Sequence, residues 1–315
     1  MKNLIISGSS GFIGTNFVNS FYKDKKFLSK FKQVVLVDTL QYGKQKIDKS
    51  VLKDKKFKFI KASIYNKKIV TRIVNKGDVI VHMATDMNTF DNPQKGVDEN
   101  IDTYLKILSE KNISKFVFFS TANIYGINHS SNLLETDLPN PTTFYSAKKI
   151  AFEALLKVYF VLHNFPVVIF RPVSIFGPYQ YPGWLVPLSV KRLLNNEKIQ
   201  LTSGGKAKRD WIYVDDVCDL TMRCLKYDKK DIFGEIYNVG TGTEETVLEI
   251  AHYILKKFNK PKTFIKWLPE RPGDLPREIT KALKAKQKFK WAPKTSFYKG
   301  LDITIDWFLK HQNYL

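Results

Sequence analysis

Tyr145 and Lys149 stand four residues apart in Tyr145-Ser146-Ala147-Lys148-Lys149, at the start of a stretch that reads as a long helix. That spacing puts both side chains on one helical face. A phenol with a pKa of about 10 is a poor base at neutral pH, and a neighbouring ammonium favours its ionised form. In a lysine-rich chain the pair alone carries little weight. A second segment raises it: Ser120-Thr121-Ala122-Asn123-Ile124-Tyr125-Gly126 closes an apolar, strand-like run. In an open α/β sheet ligands lie outside the carboxyl ends of the strands, so Thr121 is expected in the same crevice as a cofactor. Tyr145 and Lys149 then read as a tuned base, with Thr121 in the same crevice.

The N-terminus carries the other half of the chemistry. Ser7-Gly8-Ser9-Ser10-Gly11-Phe12-Ile13-Gly14 falls between a first strand and a first helix. Gly8, Gly11 and Gly14, with Phe12 and Ile13 between the last two, give a G-x-x-G-x-x-G spacing. Such a loop lets the backbone approach a pyrophosphate at a helix N-terminus. Asp38 ends the second predicted strand, where a carboxylate can accept from both ribose hydroxyls of an adenosine. A 2′-phosphate would be repelled there, so NAD is favoured over NADP.

These residues need a frame. Apolar runs at Leu4–Ser7, Val34–Asp38, Phe57–Lys61, Val79–His82, Phe116–Ser120 and Val167–Arg171 alternate with helical patterns at Thr15–Lys23, Ile64–Asn75, Pro93–Lys111 and Tyr145–His163. That alternation predicts crossover units and a doubly wound parallel α/β sheet of Rossmann type, buried on both faces. After Arg171, Pro and Gly break the chain repeatedly, leaving a helix at Val214–Lys226 and a strand at Glu235–Val239. We expect residues 1–172 and 212–240 to form the NAD-binding domain. Residues 173–211 and 241–315 would form a smaller α/β substrate-binding lobe.

Composition narrows the class further. The 315 residues are 43% hydrophobic and include 23 Phe, 15 Tyr and 5 Trp, ample for a core and unlike a disordered coil. Two cysteines exclude a disulfide-stapled scaffold, and no metal site is expected. No apolar stretch suggests a signal peptide or a span, so the expectation is a cytoplasmic protein without stable membrane insertion. Lys and Arg exceed Asp and Glu to give a net charge of +21, but the lysines are scattered in pairs. This favours solvated faces and a small polyanionic ligand over a nucleic-acid surface.

Taken together the motifs resemble the extended short-chain dehydrogenases/reductases, and specifically the NAD-dependent epimerase/dehydratase group that acts on nucleotide sugars. The resemblance runs along nearly the whole chain. The glycine loop, Asp38, Ser-Thr-x-x-Ile-Tyr-Gly and Tyr145-x-x-x-Lys149 stand in family order. Arg171-Pro172-x-x-x-Phe176-Gly177-Pro178, Arg209-Asp210-Trp211-Ile212-Tyr213-Val214-x-Asp216, Tyr237-Asn238-Val239-Gly240 and Arg271-Pro272-Gly273-Asp274 follow. The resemblance implies that Tyr145 is the acid/base on the sugar hydroxyl and that Thr121 bonds the reacting oxygen. Lys149 would hold the nicotinamide ribose and lower the Tyr145 pKa. Arg209 and Arg271 would grip the nucleotide diphosphate, with Asp274 in the same motif.

The departures from the family pattern shape the expected reaction. Ala122-Asn123 replaces the Asp-Glu of the 4,6-dehydratases, and Asn cannot take a carboxylate's acid/base role, which disfavours elimination of water. Ala122 also stands where the 3,5-epimerase/reductases carry a Cys. Ser63 and Ile64 occupy the place of an Asp-Ile pair that meets the adenine. Ser174 stands where many members have an Asn near the diphosphate. Ala84 belongs to the cofactor side, and Thr85, Asp86 and Met87 are expected to line the sugar pocket. The leading expectation is a nucleotide-sugar 4-epimerase working by transient oxidation and re-reduction at C4. A net C4 oxidoreductase is the alternative, and a non-catalytic NAD- or RNA-binding module is a third reading that the Thr121–Tyr145–Lys149 set argues against. A homodimer through a four-helix bundle is expected, with stripes of Ile101, Tyr104, Leu105 and Leu108 and of Ala151, Leu155, Val158 and Tyr159 at the interface.

Overall fold

In the computed structural model, residues 1–42, 45–85, 100–127, 132–270 and 275–315 are described. Seven strands form one sheet: β1 (Lys2–Ser7), β2 (Phe31–Asp38), β3 (Phe57–Lys61), β4 (Val79–His82), β5 (Lys115–Phe119), β6 (Val167–Pro172) and β7 (Glu235–Val239). Their spatial order is β7-β6-β5-β4-β1-β2-β3, and every pairing is parallel. The direction of winding reverses between β1 and β4, so their carboxyl ends open a crevice at the switch point.

Side-chain alternation along each strand feeds two cores, one on each face. Leu4 and Ile6, with Leu36, Val81, Val117 and Phe170, pack against Phe17 and Phe21 of α1 (Phe12–Lys23). Ile5, Val35, Ile80, Phe116 and Ile169 face the other way. They pack against Val70 of α2 (Lys67–Ile73), Leu105 and Leu108 of α3 (Ile101–Glu110), and Phe152 and Leu156 of α4 (Phe144–His163). The predicted helix at Val214–Lys226, α5, returns to the α1 side through Val217 and Leu220. Each such side chain contributes roughly 1.5–3 kcal/mol when fully buried, which is why these continuous apolar runs form interior strands.

A third core lies among Phe176, Val186, Val190, Ile250, Ile254, Leu301, Ile305 and Phe308. Two short parallel strands, Ser174–Phe176 and Trp211–Tyr213, border it. Beside them Lys208–Arg209 lies between Glu245–Thr246, antiparallel, and Arg277–Glu278, parallel.

Element ends follow local chemistry. The second predicted helix starts at Lys67 rather than Ile64, because the Asn66 side chain accepts the Ile69 N–H and caps it there. Thr143 and Ser146 form a capping box that starts α4 one residue before Tyr145. Of the predicted helix Pro93–Lys111, the part before residue 100 lies outside the described residues. One expectation needs correcting: Ile101, Tyr104, Leu105 and Leu108 do not form an outward stripe, because they are buried under their own sheet. On α4 the apolar exposure lies at Val158, Val161 and Leu162, which are 51%, 66% and 67% exposed.

Candidate functional site

The glycine loop leaves β1 and enters α1 with Gly11 as N-cap. Gly8 has φ +72°, and a Cβ there would come within 2.7 Å of the Ala84 nitrogen on the segment leaving β4. A Cβ on Gly14 would overlap the Gly8 carbonyl and the Ser9 backbone. The Gly8 N–H donates to the Val37 carbonyl and the Gly11 N–H to the Gly8 carbonyl, at 2.9 and 3.1 Å. Packing therefore requires glycine at positions 8 and 14, beyond simple turn geometry. Asp38 is oriented over the loop: its carboxylate accepts the Ser10 N–H at 2.9 Å and the Leu40 N–H at 2.8 Å. Such a cradle, open at a helix N-terminus and flanked by a carboxylate, fits a dinucleotide.

Two of the expected cofactor contacts take another form. Ile64 points into the core below the sheet rather than toward the crevice. The Ser63 hydroxyl accepts the Tyr65 N–H at 3.2 Å, closing its own turn. Phe12 and Ile13 are partly buried, and the Phe12 ring meets Trp184 edge-on at 6.3 Å. Beneath the loop, His82 is fully buried between the Ser7 hydroxyl and the Tyr65 hydroxyl, both at 3.0 Å. Burial, helped by the Lys149 charge, pushes its pKa down to about 3, so it is a neutral structural link between β1 and β4.

Thr121 follows β5 and caps a short 3₁₀ turn, Ala122–Tyr125, its hydroxyl accepting the Asn123 N–H at 3.2 Å. The same side chain hydrogen-bonds the Tyr145 hydroxyl. Lys149, one helical turn along α4, is buried and donates to the Phe119 carbonyl at 2.6 Å. Its Nζ lies 5.9 Å from the Tyr145 ring centroid. The structure thus brings Thr121, Tyr145 and Lys149 together at the end of β5, beside β4 and the Gly8 loop.

The electrostatics correct one expectation. Burial pushes the Tyr145 phenol up to about 12, against the pull of its Thr121 hydrogen bond and with a further push from the negative Glu278. Burial also pushes the Lys149 ammonium down to about 8, opposed by Glu153. Lys149 therefore does not lower Tyr145 in this arrangement: desolvation dominates both groups, and the ammonium is committed to the Phe119 carbonyl. Behind Lys149, Glu153 and Arg171 form a buried ion pair at 2.6 Å. Arg171 donates to the Tyr125 hydroxyl at 2.9 Å, which donates to Asn238 at 2.7 Å, tying α4, β6 and β7 into one network.

On the sugar side, Thr85 is exposed just past β4 and Ala84 lies against Gly8. Asp86, Met87, Arg271 and Asp274 lie outside the described residues. Ser174 donates its N–H to the Asp210 carbonyl at 3.2 Å, and Arg209 is paired in register with Glu278.

Glu278 is the residue that the sequence reading missed. It is buried, and its Oε2 accepts the Asn123 Nδ2–H at 3.2 Å. The sequence argument against elimination rested on Ala122 and Asn123, yet a carboxylate reaches Asn123 from 155 residues away. The one sequence signal for it was its position just beyond the Arg271–Asp274 motif. With Nδ2 committed to the carboxylate, the Asn123 Oδ1 is a buried acceptor without a partner among the described residues.

A doubly wound sheet with a glycine cradle, a strand-end carboxylate and a Thr–Tyr–Lys cluster defines a dinucleotide-dependent enzyme of the short-chain dehydrogenase/reductase type. The family model for the NAD dependent epimerase/dehydratase family matches residues 4–240, and the chain belongs to that family. Among curated proteins it is 30% identical to the low-salt glycan biosynthesis protein Agl12 of Haloferax volcanii, over 98% of each chain. It is 28% identical to a dTDP-glucose 4,6-dehydratase of Streptomyces niveus, over 97% of this chain and 92% of that one. Among solved structures, a dTDP-glucose 4,6-dehydratase from Bacillus anthracis in complex with NAD superposes with a TM-score of 0.88 at 29% identity, covering 99% and 98% of the two chains. A UDP-glucose 4-epimerase with UDP-glucose from Thermotoga maritima gives 0.86 at 26%, covering 98% and 99%. NAD is the cofactor of the family, and the Gly8–Gly14 cradle with Asp38 would hold it.

Proposed function

We propose that the protein is a nucleotide-sugar 4-epimerase that oxidises C4 transiently and reduces it again from the other face. The observation that carries the reading is the Tyr145 hydroxyl bonded to Thr121 at the end of β5, beside the cradle. NAD, when bound, supplies the hydride acceptor and a positively charged ring. Tyr145 takes the O4 proton and later returns it, and Thr121 holds the same oxygen. Bringing Tyr145 down from about 12 requires positive charge near its ring, which the Lys149 ammonium, held at the Phe119 carbonyl, does not give by itself. Arg209 and Ser174 would meet the diphosphate, and the net charge of +21 suits a polyanionic substrate.

Incubating the protein with NAD and UDP-glucose or dTDP-glucose tests this. The expected result is a C4-epimer mixture reached from either side without net change in cofactor. Stoichiometric reduction of added NAD would instead establish the net C4 oxidoreductase. Elimination of water is a second reading: relatives named dTDP-glucose 4,6-dehydratases support it, as does the Glu278 carboxylate at Asn123. The exposed Val158, Val161 and Leu162 support a homodimer through α4, and a monomeric sedimentation coefficient at micromolar concentration would count against it. We assign the protein to the cytoplasm; among the described residues no helix is long and apolar enough to cross a membrane.

A further inference from the structure

Tyr145, Thr121, Asn123 and Glu278 form one continuous hydrogen-bonded path. Tyr145 bonds Thr121, the Thr121 hydroxyl accepts the Asn123 N–H, and the Asn123 amide donates to Glu278. The carboxylate arrives from the strand Arg277–Glu278 and is buried, and its charge is felt at the Tyr145 hydroxyl. The C4 reading leaves it without a task. Oxidation at C4 makes a ketone, and a ketone acidifies the C–H bonds on the carbons beside it. A carboxylate close to the oxygen donors that hold O4 can be the base such a step needs.

We propose that Glu278 is that base, taking a proton from a carbon bonded to C4 while C4 is a ketone. The inference rests on transient C4 oxidation. In the step, the C–H bond breaks and the proton goes to the Glu278 carboxylate. The electron pair forms a carbon–carbon double bond to C4, and the carbonyl pair moves onto O4. Tyr145, already carrying the O4 proton, and Thr121 donate to the resulting oxyanion. Reprotonation by Glu278 reverses the step, so no external oxidant or reductant is consumed.

Several features suit Glu278 to this role. Burial moves its carboxyl above the ordinary range, opposed by Arg209 and Asn123 and reinforced by Asp210, which makes the carboxylate a better proton acceptor than an exposed one. A neutral Tyr145 is the form that donates to an enolate oxygen. Asn123 fixes one carboxylate oxygen, as the bland alternative of an Arg209 counter-ion does not require.

The test is to run the full-length enzyme with NAD and UDP-glucose or dTDP-glucose in D₂O. Deuterium at the carbons beside C4 is read by NMR and mass spectrometry, and the reduced-nicotinamide absorbance is followed in parallel. Wild type is expected to incorporate deuterium there. Glu278→Gln should lower incorporation by at least about 100-fold while the absorbance change persists. Glu278→Asp should recover part of it. Conversion by wild type with no deuterium beside C4 overturns the proposal, whatever the variants do, and needs no variant to fold. Exchange by Glu278→Gln at the wild-type rate with only KM raised also overturns it, and makes Glu278 the partner of Arg209. If neither sugar nucleotide produces an absorbance change or a product, the C4 reading and this proposal fall together. That result is distinct from C4 turnover without exchange.

Discussion

The cradle at Gly8–Gly14 and the cluster at Thr121–Glu278 lie near one switch point but are assembled by opposite strategies. The cradle comes from a short span of chain, Ser7 to Asp38, folded through one strand–helix–strand unit, with Ala84 packed closely over Gly8. Its geometry is mostly backbone: positive φ at Gly8, close approach at Gly14, and N–H groups at the start of α1. The cluster takes Thr121 and Asn123 from the end of β5, Tyr145 and Lys149 from α4, and Glu278 from the far end of the chain. Its function depends on side-chain protonation in a dry setting, where burial disfavours the charged forms of Tyr145, Lys149 and Glu278. The cradle depends chiefly on sterics, whereas the buried cluster depends on protonation as well.

Breaking each region should therefore fail differently. Tyr145→Phe removes only a hydroxyl, and turnover should fall by about 10²–10⁴-fold while NAD affinity, measured by calorimetry, stays near wild type. Unchanged turnover would move the acid/base role to another residue. Gly14→Ala attacks the cradle by steric overlap with Gly8 and Ser9. It should lower NAD affinity by more than about tenfold and destabilise the fold by about 1–3 kcal/mol, as overpacking typically does.

Lys149 links the regions through pH. Its folded pKa of about 8 lies below the ordinary lysine value of 10.5, so the unfolded chain binds more protons between these values. Stability should therefore rise with pH across that window and carry the full burial cost below it. The wild-type advantage over Lys149→Met should grow by about 3 kcal/mol at most from pH 8 to 10.5, read from denaturant melts. A flat difference would mean that the Phe119 hydrogen bond fully offsets the burial. Asp38→Ala is the smallest change: NAD affinity should drop by roughly tenfold with the chemical step intact, since about 1–1.5 kcal/mol is typical of a lost hydrogen-bonding partner.

The local patterns were legible because they reflect local physics. Continuous apolar runs alternating with helical patterns marked β1 to β7 within a few residues, and the glycine spacing located the loop that the structure then required to be glycine. Tyr145 and Lys149 were legible because four residues is one turn of helix. The burial of the Ile64 side chain in the core was not legible, because sequence position does not say which face of a sheet a loop residue enters. The Ile101–Leu108 stripe was misread for a related reason: an apolar helical face looks the same whether it meets its own sheet or another subunit.

What the sequence determined by itself was the doubly wound order of strands and helices, the cradle, and the residue types of the proton-moving pair. Periodicity and i, i+4 spacing depend only on neighbours along the chain. What the tertiary structure alone decided was the electrostatics of the site and its carboxylate. Glu278 meets Asn123 only because Arg277–Glu278 pairs with Lys208–Arg209, a register set by packing across distant segments. The shifts at Tyr145 and Lys149 have the same origin, since desolvation is a property of what surrounds a group in space, and no local run of sequence specifies it.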